Sequence, residues 1–193
     1  MTTLKPKQEA IQKERVELVV GIAHQLFQEM GYENVGIRDI CVRAGLSPTQ
    51  LYRLGLDKKD LLAEVILRVN QTIIESIKPF SSKGFKTAQI YIQSYLRDLY
   101  EKDIEIKNIR AEGAAFGWKW SGKYETNVIE QLMKMLKPIA DALAHDNYDE
   151  IQARCFAIWS LYYVGYRHAV IENGDADECL AQIAPAISIC LKR

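Results

Sequence analysis

Apolar residues recur at steps of three and four along most of the chain, which is the period of a helix with one buried face. Val16, Val19, Val20, Ala23, Leu26, Phe27 and Met30 form one stripe, and Gly31 stands where a left-handed helix end is expected. Ile37, Ile40, Cys41 and Ala44 form a short second stripe closed by Gly45. Ser47-Pro48 reads as an N-cap followed by proline at the first helical position, with Leu51 and Leu54 as anchors. Asp57 is the expected N-cap of a fourth helix whose stripe runs Leu61, Leu62, Val65, Ile66, Val69, Ile73 and Ile77 and stops at Pro79.

Residues 80–86 hold two serines, a glycine and two lysines and mark a boundary. Longer stripes follow. One includes Ile92, Tyr95, Leu96, Leu99 and Tyr100, and another runs from Val128 to Leu143 with Pro138 expected to bend it. A third includes Cys155, Ile158, Trp159, Tyr162, Tyr166 and Ala169, and the last includes Ile183, Ile187 and Leu191 around Pro185. Residues 104–124 predict a short helix and then an irregular loop. No segment reads as a strand, so the expected fold class is all-α.

Composition narrows the class. The chain has 193 residues, 48% of them hydrophobic, with 25 Lys+Arg against 25 Asp+Glu. That is too apolar for a disordered polymer. No apolar run approaches the roughly 20 residues of a membrane span, and the N-terminus lacks the apolar core of a signal peptide. Cys41, Cys155, Cys179 and Cys190 are too far apart for a zinc ribbon or a redox pair. Together these predict a cytoplasmic protein with reduced thiols. His24, His145 and His168 form no local metal motif, and no nucleophile elbow, Walker loop or dinucleotide fingerprint is present. The expectation is no metal, no cofactor and no enzyme activity. The first 83 residues carry 12 basic and 10 acidic groups and the remainder 13 and 15, so any basic patch must be local.

The informative stretch is residues 31–62, with the physics of a helix-turn-helix. A short amphipathic helix ends at Gly45-Leu46, and Ser47-Pro48 relaunches the chain. The next helix exposes Pro48, Thr49, Gln50 and Arg53 while Leu51 and Leu54 hold it down. Such a helix can enter a major groove and show its first residues to base edges. Gln50 can pair bidentately with adenine, and the Thr49 methyl can meet a thymine methyl. Tyr52 and Lys58 can donate to phosphate oxygens and fix register. Lys5, Lys7, Lys13 and Arg15 form either a basic arm or a solvated tail.

The ordered set Phe27-Gln28-Glu29-Met30-Gly31-Tyr32, Ile37-Arg38-Asp39-Ile40, Ala44-Gly45-Leu46-Ser47, Leu51-Tyr52 and Lys58-Lys59-Asp60-Leu61-Leu62 resembles the TetR family of transcriptional regulators. The resemblance implies a helix-turn-helix DNA-binding domain over 1–56, with 1–13 a flexible arm. A connecting helix over 57–79 and a ligand-binding and dimerisation domain over 80–193 follow from it. It implies DNA contacts from Arg38, Ser47, Pro48, Thr49, Gln50, Tyr52 and Lys58, to which the exposed face of the helix adds Arg53. It implies a repressor that binds a pseudo-palindromic double-stranded operator as a homodimer through residues 151–191, released by a small-molecule effector. The chain departs from the family at Leu54 and Gly55, where an aromatic pair is usual, and at Val35-Gly36, where a hydroxyl is usual. Both changes predict a looser head. A head that acts through protein–protein contacts and a helical enzyme are the alternative readings.

In the second part, Arg110, Trp118, Trp120, Tyr124, Trp159, Tyr163 and Tyr166 are the candidate pocket residues, because ligand cavities are aromatic-lined with a few placed polar groups. The same aromatics read equally as core. Arg110 and Glu112 read either as pocket residues or as an exposed charge pair.

Overall fold

A computed structural model of the chain describes residues 6–116 and 122–192. Among these residues there are nine helices and no strand: α1 (Pro6–Met30), α2 (Ile37–Ala44), α3 (Pro48–Arg53), α4 (Lys58–Ser76), α5 (Ala88–Glu105), α6 (Lys107–Phe116), α7 (Gly122–His145), α8 (Ile151–Glu172) and α9 (Ala176–Cys190). The chain divides into two compact units. One comprises residues 1–69 and 108–120, and the other 70–107 and 121–193. The first division falls inside α4, between Val69 and Asn70, and the second at the start of α6.

The first unit is built from local signals. α2 ends where Gly45 adopts φ +65°, a left-handed conformation that costs glycine nothing. Leu46 N–H then donates to Cys41 O at 2.9 Å and Gly45 N–H to Val42 O at 3.2 Å, the paired bonds of a Schellman ending. α4 begins with a reciprocal cap: Asp60 N–H donates to Asp57 Oδ1 at 2.8 Å and Asp57 N–H to Asp60 Oδ2 at 2.9 Å. Val19, Ala23, Phe27, Ile40, Leu51, Leu61 and Val65 form the core, and the Phe27 ring meets Tyr32 edge-on at 5.2 Å. α6 joins this core through the fully buried Ile109.

In the second unit α8 packs along α9, and α5 lies against α7, α8 and α9. Gly165 permits the α8–α9 approach: a Cβ there would come within 2.7 Å of Cys179 O and would also strike the Tyr100 hydroxyl. Pro138 and Pro185 both sit inside helices, α7 and α9.

Candidate nucleic-acid interface

α3 is only six residues long, so its geometry depends on its caps and its one anchor. Ser47 is the N-cap and Pro48 the first helical residue. Ser47 Oγ accepts Gln50 N–H at 3.2 Å, and Gln50 Oε1 accepts Ser47 N–H at 2.7 Å. Leu51 is fully buried and fixes the helix from beneath. Ser47, Thr49, Gln50, Tyr52 and Arg53 are exposed on the outer surface, Tyr52 to 57%. Pro48 is half-buried. Arg38, in the first turn of α2, is exposed as well. Arg43 on α2 pairs with Glu29 at 3.5 Å and ties that helix to the end of α1.

The two departures from the family pattern have local explanations. Gly55 has φ +75°, so glycine is the residue that fits this turn without strain rather than a loosened joint. Leu56, beside it, is buried. At α2 no hydroxyl cap exists, but the Asp39 carboxylate accepts Gly36 N–H at 2.8 Å.

Lys58 occupies the first turn of α4 and is half-buried. Its Nζ lies 4.1 Å from the centroid of the Tyr32 ring, a cation–π contact. Tyr32 is buried, and its hydroxyl is pushed up to about 12 by burial and then by the carboxylates of Glu33, Asp57 and Glu112. Glu112, half-buried on α6, is raised by burial and by Glu33 and opposed by Lys58. Sequence reasoning did not place Tyr32 beside Lys58, because α2 and α3 separate the two along the chain.

The nominated pocket residues separate. Arg110 is buried and belongs to the first unit, and with Glu112 half-buried the two are not an exposed pair. In the second unit Tyr124 and Tyr166 are buried, Trp159 is half-buried and Tyr163 exposed. Trp118 and Trp120 lie outside the described residues. Trp159 stacks on Tyr162 at 5.1 Å. Tyr162 OH donates to Asp103 Oδ2 at 2.6 Å, Tyr166 OH to Asp103 O at 2.9 Å and Tyr100 OH to Tyr162 O at 2.9 Å. A cavity of about 550 Å³ opens elsewhere in this unit, against the aromatic faces of Phe85, Tyr91 and Tyr95, with Ser94, Asp98 and Lys102 among its polar groups.

Among the described residues no cluster of three or more His, Cys, Asp and Glu is placed to share a metal ion, and no helix is long and apolar enough to cross a membrane. The described thiols are free, with Cys41, Cys155 and Cys179 buried.

Residues 21–65 match the family model of the bacterial regulatory proteins, tetR family. No curated protein matches the chain. Solved structures share its fold over nearly its whole length. A TetR-family transcriptional regulator from Pectobacterium atrosepticum is 22% identical, with 94% of each chain covered and a TM-score of 0.64. GusR from Salmonella enterica is 17% identical, with 93% of this chain and 96% of that one covered and a TM-score of 0.65. A transcriptional regulator of the TetR/AcrR family from Thermobifida fusca is 19% identical, with 93% and 100% covered and a TM-score of 0.60.

Proposed function

From a chain with a TetR-family head over residues 21–65, on a fold that regulators of this kind share, we propose a ligand-responsive transcriptional repressor that acts in the cytoplasm on a pseudo-palindromic operator. One observation carries the reading: α3 presents Thr49, Gln50, Tyr52 and Arg53 to solvent while Leu51 locks it from beneath. In this reading α3 enters the major groove. Thr49 and Arg53 meet base edges, and Tyr52, Arg38, Ser47 and Lys58 hold phosphates, with Pro48 starting the helix.

Dimerisation is the second element. α8 exposes Phe156, Tyr163, Val164 and Ile171, at steps of seven, one and seven along one side, and α9 exposes Ile189. A second copy laid on residues 151–191 covers this apolar surface and supplies the second head that a two-fold operator requires. The effector is a small molecule. The 550 Å³ cavity by Tyr91 and Tyr95 supports that part of the reading, since its size and aromatic lining suit a drug-sized ligand.

The test is a binding titration against the promoter DNA of the protein's own gene across a salt series. The expected result is saturable binding whose logarithm falls linearly with log salt, by about 0.9 per phosphate contact. Absence of salt-sensitive, saturable binding overturns the proposal and leaves the protein–protein reading.

A further inference from the structure

The cavity in the second unit changes character along α5. Tyr91, Tyr95, Asp98 and Lys102 recur at steps of four, three and four, so one face of the helix runs from rings to charges and forms a wall of the space. At the aromatic end the Phe85 ring meets Tyr91 edge-on at 5.1 Å, and Tyr91 lies parallel to Tyr95 at 6.0 Å. The tyrosine hydroxyls are committed to backbone: Tyr95 OH donates to Met135 O at 2.8 Å and Tyr91 OH to Lys78 O at 3.5 Å. What these two residues offer a ligand is ring surface.

The charged end is not balanced within the protein. Glu101 also reaches the cavity, but its carboxylate accepts from Arg97 Nη1 at 2.7 Å. Asp98 and Lys102 make no hydrogen bond or ion pair with any described residue. Asp98 is exposed and keeps its water. Lys102 is half-buried in the last turn of α5, where it has lost part of its hydration and meets only the partial negative charge of the helix end. The ammonium therefore gains more from an incoming opposite charge than the carboxylate does. Lys102 follows Tyr95 by seven residues, about 10 Å along a helix, a distance that a ring and a short chain can span.

We propose, resting on the ligand-responsive reading above, that this cavity takes an aromatic carboxylate. The ring lies against Phe85, Tyr91 and Tyr95, and the carboxylate accepts from the Lys102 ammonium. Asp98, one turn earlier, weakens this attraction without cancelling it, because water screens the exposed carboxylate.

The experiment titrates the full chain with phenylbutyrate, phenylbutylamine and phenylbutyramide, which share a ring and a chain length and differ in the end group, read by saturation-transfer NMR. Phenylbutyrate is expected to bind at least 10-fold more tightly than phenylbutylamine, with the amide between them. An amine that binds as tightly as the acid, or no saturable binding of any probe, overturns the proposal on the parental protein alone. Lys102→Met is expected to weaken phenylbutyrate about 10-fold, the scale of one charge-assisted hydrogen bond, and to leave the amide unchanged, while Lys102→Arg keeps the preference for the acid. A lysine that serves only the α5 dipole lowers the melting temperature when replaced and leaves the ranking of the probes as it was, which also overturns the proposal. Phe85→Ala weakens all three probes alike, since the ring contact is common to them, and unchanged affinities place the probes elsewhere and refute the site. Phenylbutyrate that binds in this pattern, yet at saturation leaves the affinity for promoter DNA unchanged, refutes the ligand-responsive reading and leaves the site standing.

Discussion

Ser47 and Gln50 cap each other: the hydroxyl of one accepts the amide N–H of the other at 3.2 Å, and the side-chain carbonyl of the second accepts the amide N–H of the first at 2.7 Å. The residue that sequence reasoning nominated to read adenine therefore has its acceptor oxygen occupied. A bidentate adenine contact requires both the oxygen and the amino group of Gln50. The Gln50 oxygen keeps a second lone pair, so capping of α3 takes up part of its acceptor capacity.

The two uses are separable by substitution. Gln50→Glu keeps an acceptor for Ser47 N–H and leaves the melting temperature within about 2 °C of the parent, while placing a negative charge on the outer face of α3. Ser47→Ala removes the hydroxyl cap and costs about 1 kcal/mol, a fall of about 2–4 °C for a chain of this size. Thermal denaturation of both variants checks this. A larger loss in Gln50→Glu than in Ser47→Ala contradicts the capping assignment.

At Gly165, α8 comes close to the α9 backbone. Any side chain there meets Cys179 O and the Tyr100 hydroxyl, and the latter donates to Tyr162 O. Backbone cannot yield as a flexible side-chain end can, so Gly165→Ala forces the helices apart or breaks the tyrosine bond. Overpacking of this kind costs about 1–3 kcal/mol. Denaturant unfolding of Gly165→Ala is expected to show a lower midpoint. For comparison, Gly122→Ala has open space around its added methyl and should show little change.

What was legible in the sequence was the part that depends on near neighbours. The Gly45 turn, the Ser47-Pro48 start and the Asp57 cap are decided within a few residues, and the structure contains all three. The spacing Ser47-x-x-Gln50 is also that of a reciprocal cap. Arg110 and Glu112 were illegible for a different reason. Helical period places α6 on the chain but says nothing of which unit receives it. That choice rests on Gly113 and Asn108 meeting partners 40 or more residues away, and on the burial of Ile109. The tyrosine hydroxyls around Asp103 are likewise a product of α5 meeting α8, and periodicity alone cannot tell such a network from a ligand cavity.

The proposed dimer predicts a specific failure. Val164 is 60% exposed and Ile171 55% exposed on the same side of α8. In a single copy a charge at Val164 stays in water and is tolerated. In a dimer through residues 151–191 the charge is buried without a partner, at a cost of about 3 kcal/mol or more, or roughly 100-fold in the dissociation constant. Sedimentation equilibrium of Val164→Glu is expected to show monomer where the parent is dimer, with the helical circular dichroism retained. A dimer of unchanged affinity excludes this face.

His24 makes the first unit sensitive to mild acid. Its pKa is lowered from 6.5 by burial and then by Arg68. The folded chain therefore binds fewer protons than the unfolded chain between the lowered value and 6.5, so stability is full above 6.5 and declines as the pH falls through that window. Glu112, whose pKa is raised, works in the opposite direction. The informative comparison is between parent and variant, not the slope of one protein. His24→Gln is expected to lose less stability than the parent between pH 7.5 and 5.5 in denaturant titrations. An identical decline in both rules His24 out as its source.

Arg154 gathers the end of α9. Nε donates to Asp149 O at 2.9 Å, Nη2 to Asp149 Oδ1 at 2.8 Å, and Nη1 to Lys192 O at 3.1 Å and to Cys190 O. The guanidinium also lies over the Tyr148 ring at 5.2 Å, while Tyr148 OH donates to Leu191 O at 3.0 Å. The Cys190 and Lys192 carbonyls stand at the negative end of the α9 dipole, where a planar cation with several donors satisfies more of them than an ammonium can. Arg154→Lys is thus not conservative: it keeps the charge and forfeits most of the fork. Loss of charged hydrogen bonds at a largely buried guanidinium costs about 2 kcal/mol, and the effect should concentrate at the end of α9. Amide exchange of residues 187–191 is expected to accelerate in Arg154→Lys and more so in Arg154→Ala, with α5 little changed. Because three of the four acceptors are backbone carbonyls, raising the salt should not reproduce the effect. Exchange that quickens evenly across α5, α8 and α9 points instead to a general loss of packing.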